Sequence, residues 1–161
     1  MHAARTLPAD AQWRRRGPWE EPGGRATYGD DVAQQLSTVA LVIADYDDAI
    51  AHYCGDLGFD LVEDRDLGGG KRWVLVAPPG SVGTALLLAR ADSPDQEAAI
   101  GNQTGGRVGF FLQTDDFWRD HARYHAAGIA FAEEPRVEEY GTVVVFVDRY
   151  GNRWDLIEPA G

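Results

Sequence analysis

From Ser37 onward, apolar and polar positions follow one another in a regular order. Val39, Leu41 and Ile43 form one row, and Thr38, Ala40 and Val42 fall on the other parity. That is the period-2 pattern of a strand with one buried face. Asp45 follows as a helix N-cap, and Asp47 and Asp48 complement the dipole of the first turn. The helix runs through Ala49-Ile50-Ala51-His52-Tyr53 to Leu57-Gly58-Phe59, with Gly58 at the left-handed position after its end. Strands are predicted over 59–64, 71–77 and 84–90, parted by Gly68-Gly69-Gly70 and Pro78-Pro79-Gly80.

The same order then recurs. Val108 to Leu112 predicts a strand, and Thr114-Asp115-Asp116 opens a helix through Tyr124. Ala127-Gly128-Ile129 closes that helix, and strands are predicted over 129–134, 142–148 and 153–158, the last two parted by Tyr150-Gly151-Asn152. Val39 and Val108 stand 69 positions apart and Gly58 and Gly128 stand 70 apart, so one inserted residue aligns the halves. The fold class read from this is α+β, two tandem βαβββ modules of the same polarity. Module one covers 37–90, a connector 91–106, and module two 107–161.

Residues 1–36 break the pattern, with Pro8, Pro18, Pro22, a Gly23-Gly24 pair and no periodicity. They predict an irregular N-terminal extension. Trp13 and Trp19 give it the means to dock on the body or on a second subunit. Its five arginines balance five acids, so the chain's net charge of −11 falls on residues 37–161. An acidic body argues against nucleic acid and against anionic membranes, which both need concentrated basic surface. The apolar run Ala85 to Ala89 is far too short to span a bilayer, and no apolar stretch follows Arg14-Arg15-Arg16 to make a secretory signal. A cytoplasmic protein is expected. The single cysteine, Cys54, rules out an intrachain disulfide and is expected to be a packed, inert thiol.

Three segments carry a family resemblance: Leu41-Val42-Ile43-Ala44-Asp45 leading to Ala49–Tyr53, then Leu57-Gly58-Phe59, and finally Phe146-Val147-Asp148-Arg149-Tyr150-Gly151-Asn152-Arg153-Trp154-Asp155-Leu156-Ile157. In this order, and inside a duplicated chain, they resemble the vicinal oxygen chelate superfamily of glyoxalase I, extradiol dioxygenases and the bleomycin- and fosfomycin-resistance proteins. The resemblance covers roughly 37–160. It implies that each module curls into a half-barrel with its helix outside. The concave faces then enclose a central small-molecule cavity, commonly with a divalent metal, and two chains form a homodimer.

The family's four metal-holding positions match Thr38, Leu87, Arg107 and Asp155. Only Asp155 is a competent ligand. Leu87 has no donor atom, Arg107 repels a cation, and Thr38 is a weak neutral donor. The expectation is a site without metal or other cofactor, a divalent metal being the alternative. Strand alternation turns Arg107 and Phe111 inward from one strand and Asp155 from another. Arg107 and Asp155 are then expected to form an ion pair where a metal would sit, unless Arg107 clamps an anionic group of the ligand. Trp73 and Tyr140 would stack on a flat ligand. His52 would carry a proton near the cavity base, a satisfied core histidine being the competing reading. Asn102 and Gln103 would offer amide contacts at the cavity mouth, and His121 and His125, four apart on the second helix, are expected on the surface. Three functions follow. The first is a metal-free binder of a small organic ligand, like the drug-sequestering resistance proteins. The second is a lyase, isomerase or dioxygenase of the same fold, using a displaced metal or acid–base work by Asp155, His52 or Tyr140. The third is a protein-contact module acting through residues 1–36. The first is the expectation adopted.

Overall fold

A computed structural model describes residues 35–161. The expected extension, with Trp13 and Trp19, lies outside the described residues apart from Gln35 and Leu36. Module one runs β1 (Thr38–Ile43), α1 (Tyr46–Ile50), a π-helical turn (Ala51–Asp56), β2 (Asp60–Gly68), β3 (Lys71–Ala77) and β4 (Ala85–Arg90). The connector holds the short α2 (Pro94–Ala99). Module two runs β5 (Val108–Gln113), α3 (Phe117–Ala126), β6 (Ala130–Phe131), β7 (Arg136–Glu138), β8 (Gly141–Val147) and β9 (Arg153–Pro159). One sheet has the order β1-β4-β3-β2; the other has β5-β9-β8-β6, with β7 also on β8. In each module the first strand pairs in parallel with the last, Thr38 opposite Ala85 and Val108 opposite Arg153. The duplication seen in the sequence is therefore a duplication of topology. None of the helices among the described residues is long and apolar enough to cross a membrane.

Local chemistry sets the helix boundaries. The Asp45 carboxylate accepts from the N–H groups of Asp47 and Asp48, at 2.9 and 3.1 Å, satisfying two orphan donors of the first turn. Gly58 sits at φ 73° and Gly128 at φ 79°, the left-handed conformation expected after each helix. The π-turn was not legible in the sequence. Leu57 N–H reaches back five residues to the His52 carbonyl, at 3.0 Å, and both His52 and Tyr53 are buried. The second strand of module two also differs from expectation. It ends after two residues and resumes as β7, because Pro135 between them has no N–H for the ladder.

Both sheets turn their helix-bearing faces to one core. Leu41, Val74, Val76 and Leu88 of module one join Leu112, Val144, Phe146, Trp154 and Leu156 of module two in a single cluster. Each fully buried aliphatic side chain contributes about 1.5–3 kcal/mol of transfer free energy, so the modules share one driving force. Trp154 is the hinge pin of this packing. Its ring lies 6.2 Å from Tyr53 and 6.0 Å from Phe59 across the junction, and stacks on Phe110 at 4.3 Å. Among the described residues, the opposite face of each sheet carries no helix.

Candidate ligand-binding face

On that open face of the second sheet, the register lines up Phe111, Asp155 and Val145 across three adjacent strands. The next row is Gln113, Ile157 and Val143. Strand alternation fixes this arrangement, since Trp154 and Leu156 on either side of Asp155 point into the core. Phe111 is 70% exposed, an unusual state for a phenylalanine at mid-strand. Asp155 is half-buried, and its Oδ1 is shut away from solvent with no hydrogen-bond partner among the described residues.

Burial pushes the Asp155 carboxyl above the ordinary aspartate range; Glu133 adds to the rise, and Arg136 and Arg153 pull against it. The sign of the consequence is definite. A carboxyl whose folded pKa is raised penalises the native state above that pKa, and the penalty vanishes below the ordinary value near ~4. Asp155→Asn is therefore expected to raise Tm at pH 7 by about 1–3 °C. The gain should fade as pH falls below ~4, and calorimetry across pH checks it. A destabilising change at pH 7 would show instead that the carboxylate is compensated.

Arg107 is not where the sequence placed it. The register slips between Val108 and Phe110, so Gly109 is an extra, bulged residue in β5. Val108, not Arg107, shares the face of Arg153 and Asp155. Arg107 precedes β5 and is exposed, and its carbonyl accepts from the Thr104 hydroxyl at 2.6 Å. The expected Arg107–Asp155 ion pair does not form. Gly109 could signal such a bulge, but nothing in the sequence shows that the Thr104 side chain packs where a Cβ at 109 would stand.

His52 follows its core-histidine reading and not the proton-carrying one. It is 4% exposed and lies in the module junction, away from the open face. Its Nδ1 pairs with Asp56 at 2.9 Å and its Nε2 accepts the Arg149 N–H at 3.1 Å, so both nitrogens are used structurally. Tyr140 is exposed in the turn between β7 and β8, off the strand faces. Trp73 and Thr38 do lie on an open face, but on that of the first sheet, Trp73 opposite Arg65 and Thr38 opposite Ala85. Within one chain they do not meet Phe111 and Asp155. Gln103 spends its amide on the main chain: Oε1 accepts Val42 N–H at 2.8 Å and Nε2 donates to Val42 O at 3.4 Å. It pairs with the free edge of β1 as a short strand would. Asn102 is exposed in the same loop. His125 is exposed, whereas His121 stacks between Phe117 and Phe131. Burial raises the Cys54 thiol, in keeping with an inert side chain.

Sequence reasoning missed Glu133 and Arg136. The Glu133 carboxylate accepts both Val145 N–H, at 3.2 Å, and Arg136 Nε, at 3.0 Å. Arg136 also reaches Glu138 at 2.7 Å. The run Glu133-Glu134-Pro135-Arg136 reads as surface charge, and only the pairing of β7 with β8 brings it beside Asp155.

The donor set at the four matched positions does not suit a metal ion. One carboxylate stands on the second sheet, a leucine and a threonine lie on the first, and an arginine lies off the face. No group of three or more His, Cys, Asp or Glu side chains among the described residues is placed to hold one. A shallow hollow of about 260 Å³ opens beside the first sheet's open face, between Ala77, Ala85 and Val82. A larger cleft of about 540 Å³ lies at the module junction near Phe59, Pro78, Arg119 and Arg123. Its arginines are already engaged, Arg119 with Asp115 and Asp120, and Arg123 with Asp120 and the Tyr124 ring.

Two curled modules around one core, each leaving a helix-free face, define a class that comparison with known proteins identifies. The chain belongs to the glyoxalase/bleomycin resistance protein/dioxygenase superfamily, whose model matches residues 35–156. An uncharacterized protein of Shewanella frigidimarina (strain NCIMB 400) is 55% identical over 126 residues, covering 78% of this chain and 93% of that one. Among solved structures, UcmS2 is similar at 27% identity and TM-score 0.69, over 78% of this chain and 98% of its own. TnmS3, an antibiotic binding protein from Streptomyces sp. CB03234, is similar at 29% identity and TM-score 0.65, over 81% of this chain and 100% of its own.

Proposed function

We propose that this protein binds a small organic molecule on the open faces of its sheets without a resident metal, and that a second copy of the chain completes the site as a homodimer. The observation that carries this reading is the row in which exposed Phe111 and half-buried Asp155 stand beside buried Val145 on the helix-free face. A large exposed aromatic beside a carboxyl in an otherwise aliphatic wall is the composition of a ligand pocket with one wall missing. The open face of the first sheet, with Trp73 and Leu87, supplies a complementary wall from another copy. β1 and β5 end their sheets, and on β1 Gln103 occupies the edge at Val42. The similarity to an antibiotic binding protein supports an organic ligand of that size class. The donor set supports binding without a metal, and with it sequestration rather than Lewis-acid catalysis.

The test is elemental mass spectrometry of the dialysed full chain after exposure to Ni, Zn, Mn and Fe(II), with sedimentation equilibrium and a thermal-shift screen of organic ligands. Metal well below one per chain, a dimer and ligand-induced stabilisation are expected. One tightly held metal per chain would overturn the metal-free reading and turn attention to lyase or dioxygenase chemistry at Asp155.

A further inference from the structure

We infer that Asp155 selects the ligand and that the ligand class is a cationic aromatic amine, its ring on Phe111 and its ammonium against the Asp155 carboxyl. This rests on the open face being the binding face. Asp155 has an unmet need. A carboxylate shares its charge over two oxygens, and here one of them is buried without a donor. Such a group costs stability unless something supplies a compensating donor or charge. Its directly opposed neighbours, Phe111 and Val145, have none to give. Nearby cations do not meet the need either. Arg136 is committed to Glu133 and Glu138. Arg153, two residues along the same strand, favours the charged form of Asp155 but forms no ion pair with it among the described residues. The bulge at Gly109 removes Arg107 from the face altogether.

The ligand is then the natural source of the charge, reaching the carboxylate through Oδ2, since Oδ1 itself is closed to solvent. Two acids, Asp155 and Glu133, are matched around this position by two arginines, Arg136 and Arg153, so the immediate surroundings are close to neutral and a cation meets no net positive charge. The acidic body favours a cation further, since a net charge of −11 draws cations towards the surface. Phe111 adds the second half of the recognition. An aromatic face left open to solvent takes a flat ring by stacking, or an ammonium within about 6 Å by its quadrupole. An anionic ligand would meet the unpaired carboxyl and be repelled.

Three probes of one ring size separate the possibilities: naphthylmethylamine, naphthylmethanol and naphthylacetate, carrying positive, zero and negative charge. Each is titrated against the full chain by NMR at pH 7 and low salt, with Asp155→Asn and Phe111→Ala as variants. The amide keeps hydrogen-bonding capacity and removes the charge. The amine should bind the wild type at least ~10-fold more tightly than the alcohol, a charge-assisted contact being worth about that factor. Asp155→Asn should erase the preference, and Phe111→Ala should weaken all three several-fold. Should Asp155→Asn fail to fold, the wild type still decides, because the preference for the amine must shrink as salt screens the pair. Equal affinities that remain sensitive to Phe111→Ala would overturn the cation assignment and leave the binding face standing. No binding of any probe, or binding indifferent to both substitutions, would overturn both.

Discussion

Asp148→Ala is expected to cost about 3–5 kcal/mol of stability, enough to unfold much of the population of an ordinary domain. Asp148 is 5% exposed and is the hub of the β8–β9 turn. Its Oδ1 accepts the N–H groups of Tyr150, Gly151 and Asn152 at 3.0, 3.0 and 2.9 Å. Its Oδ2 accepts from the Tyr53 hydroxyl at 2.6 Å, the Asn152 side chain at 2.9 Å and Trp154 Nε1 at 3.1 Å. Removing the carboxylate orphans five donors at once, three of them on buried side chains, while Gly151 N–H keeps its bond to the Asp148 carbonyl. The Tyr53 hydroxyl has no escape by ionising, since burial, the largest cause that raises it above the usual tyrosine range, remains when Asp148 is gone. Because Tyr53 comes from module one, the loss should also loosen the junction. Urea unfolding followed by tryptophan fluorescence checks it. A loss below ~1 kcal/mol would show that water replaces these contacts without penalty.

Gly101→Ala is expected to cost at least ~2 kcal/mol, read as a fall in Tm of roughly 4–8 °C. Gly101 sits at φ 74°, where an alanine is already strained. An added Cβ would run into the Tyr150 carbonyl, which belongs to backbone and cannot rotate away. The connector would have to lift from the β8–β9 turn. Two residues on, Gln103 would lose its grip on the edge of β1 at Val42. Hydrogen exchange at the Val42 amide should therefore quicken in this variant. Stability within ~0.5 kcal/mol of the wild type would mean that the connector is free to shift.

Much of the framework was legible because it is local. Gly58 as a left-handed helix end, Gly128 as part of the close of the second helix and Asp45 as an N-cap follow from residue types within a few positions of one another. The open-face parity of Thr38, Phe111 and Asp155 was likewise available from alternation alone. The errors came where one residue of register or one distant partner decides. A single bulged glycine moved Arg107 off the face. A wide helical turn sent His52 into the junction, where Arg149, 97 positions away, occupies its second nitrogen. Gln103 looked like a ligand contact and proved to be a strand cap.

By itself, then, the sequence determined two βαβββ repeats, their helix boundaries and which strand face is apolar, since all three follow from short-range periodicity and capping. Tertiary structure alone decided that the helix-bearing faces share one core, that Asp148 ties the modules together, and that Asp155 is left with Phe111 and Val145 instead of an arginine. The physical reason is that cross-strand neighbours and buried donors are set by packing between segments distant in the chain, and a slip of one residue exchanges the two faces of a strand.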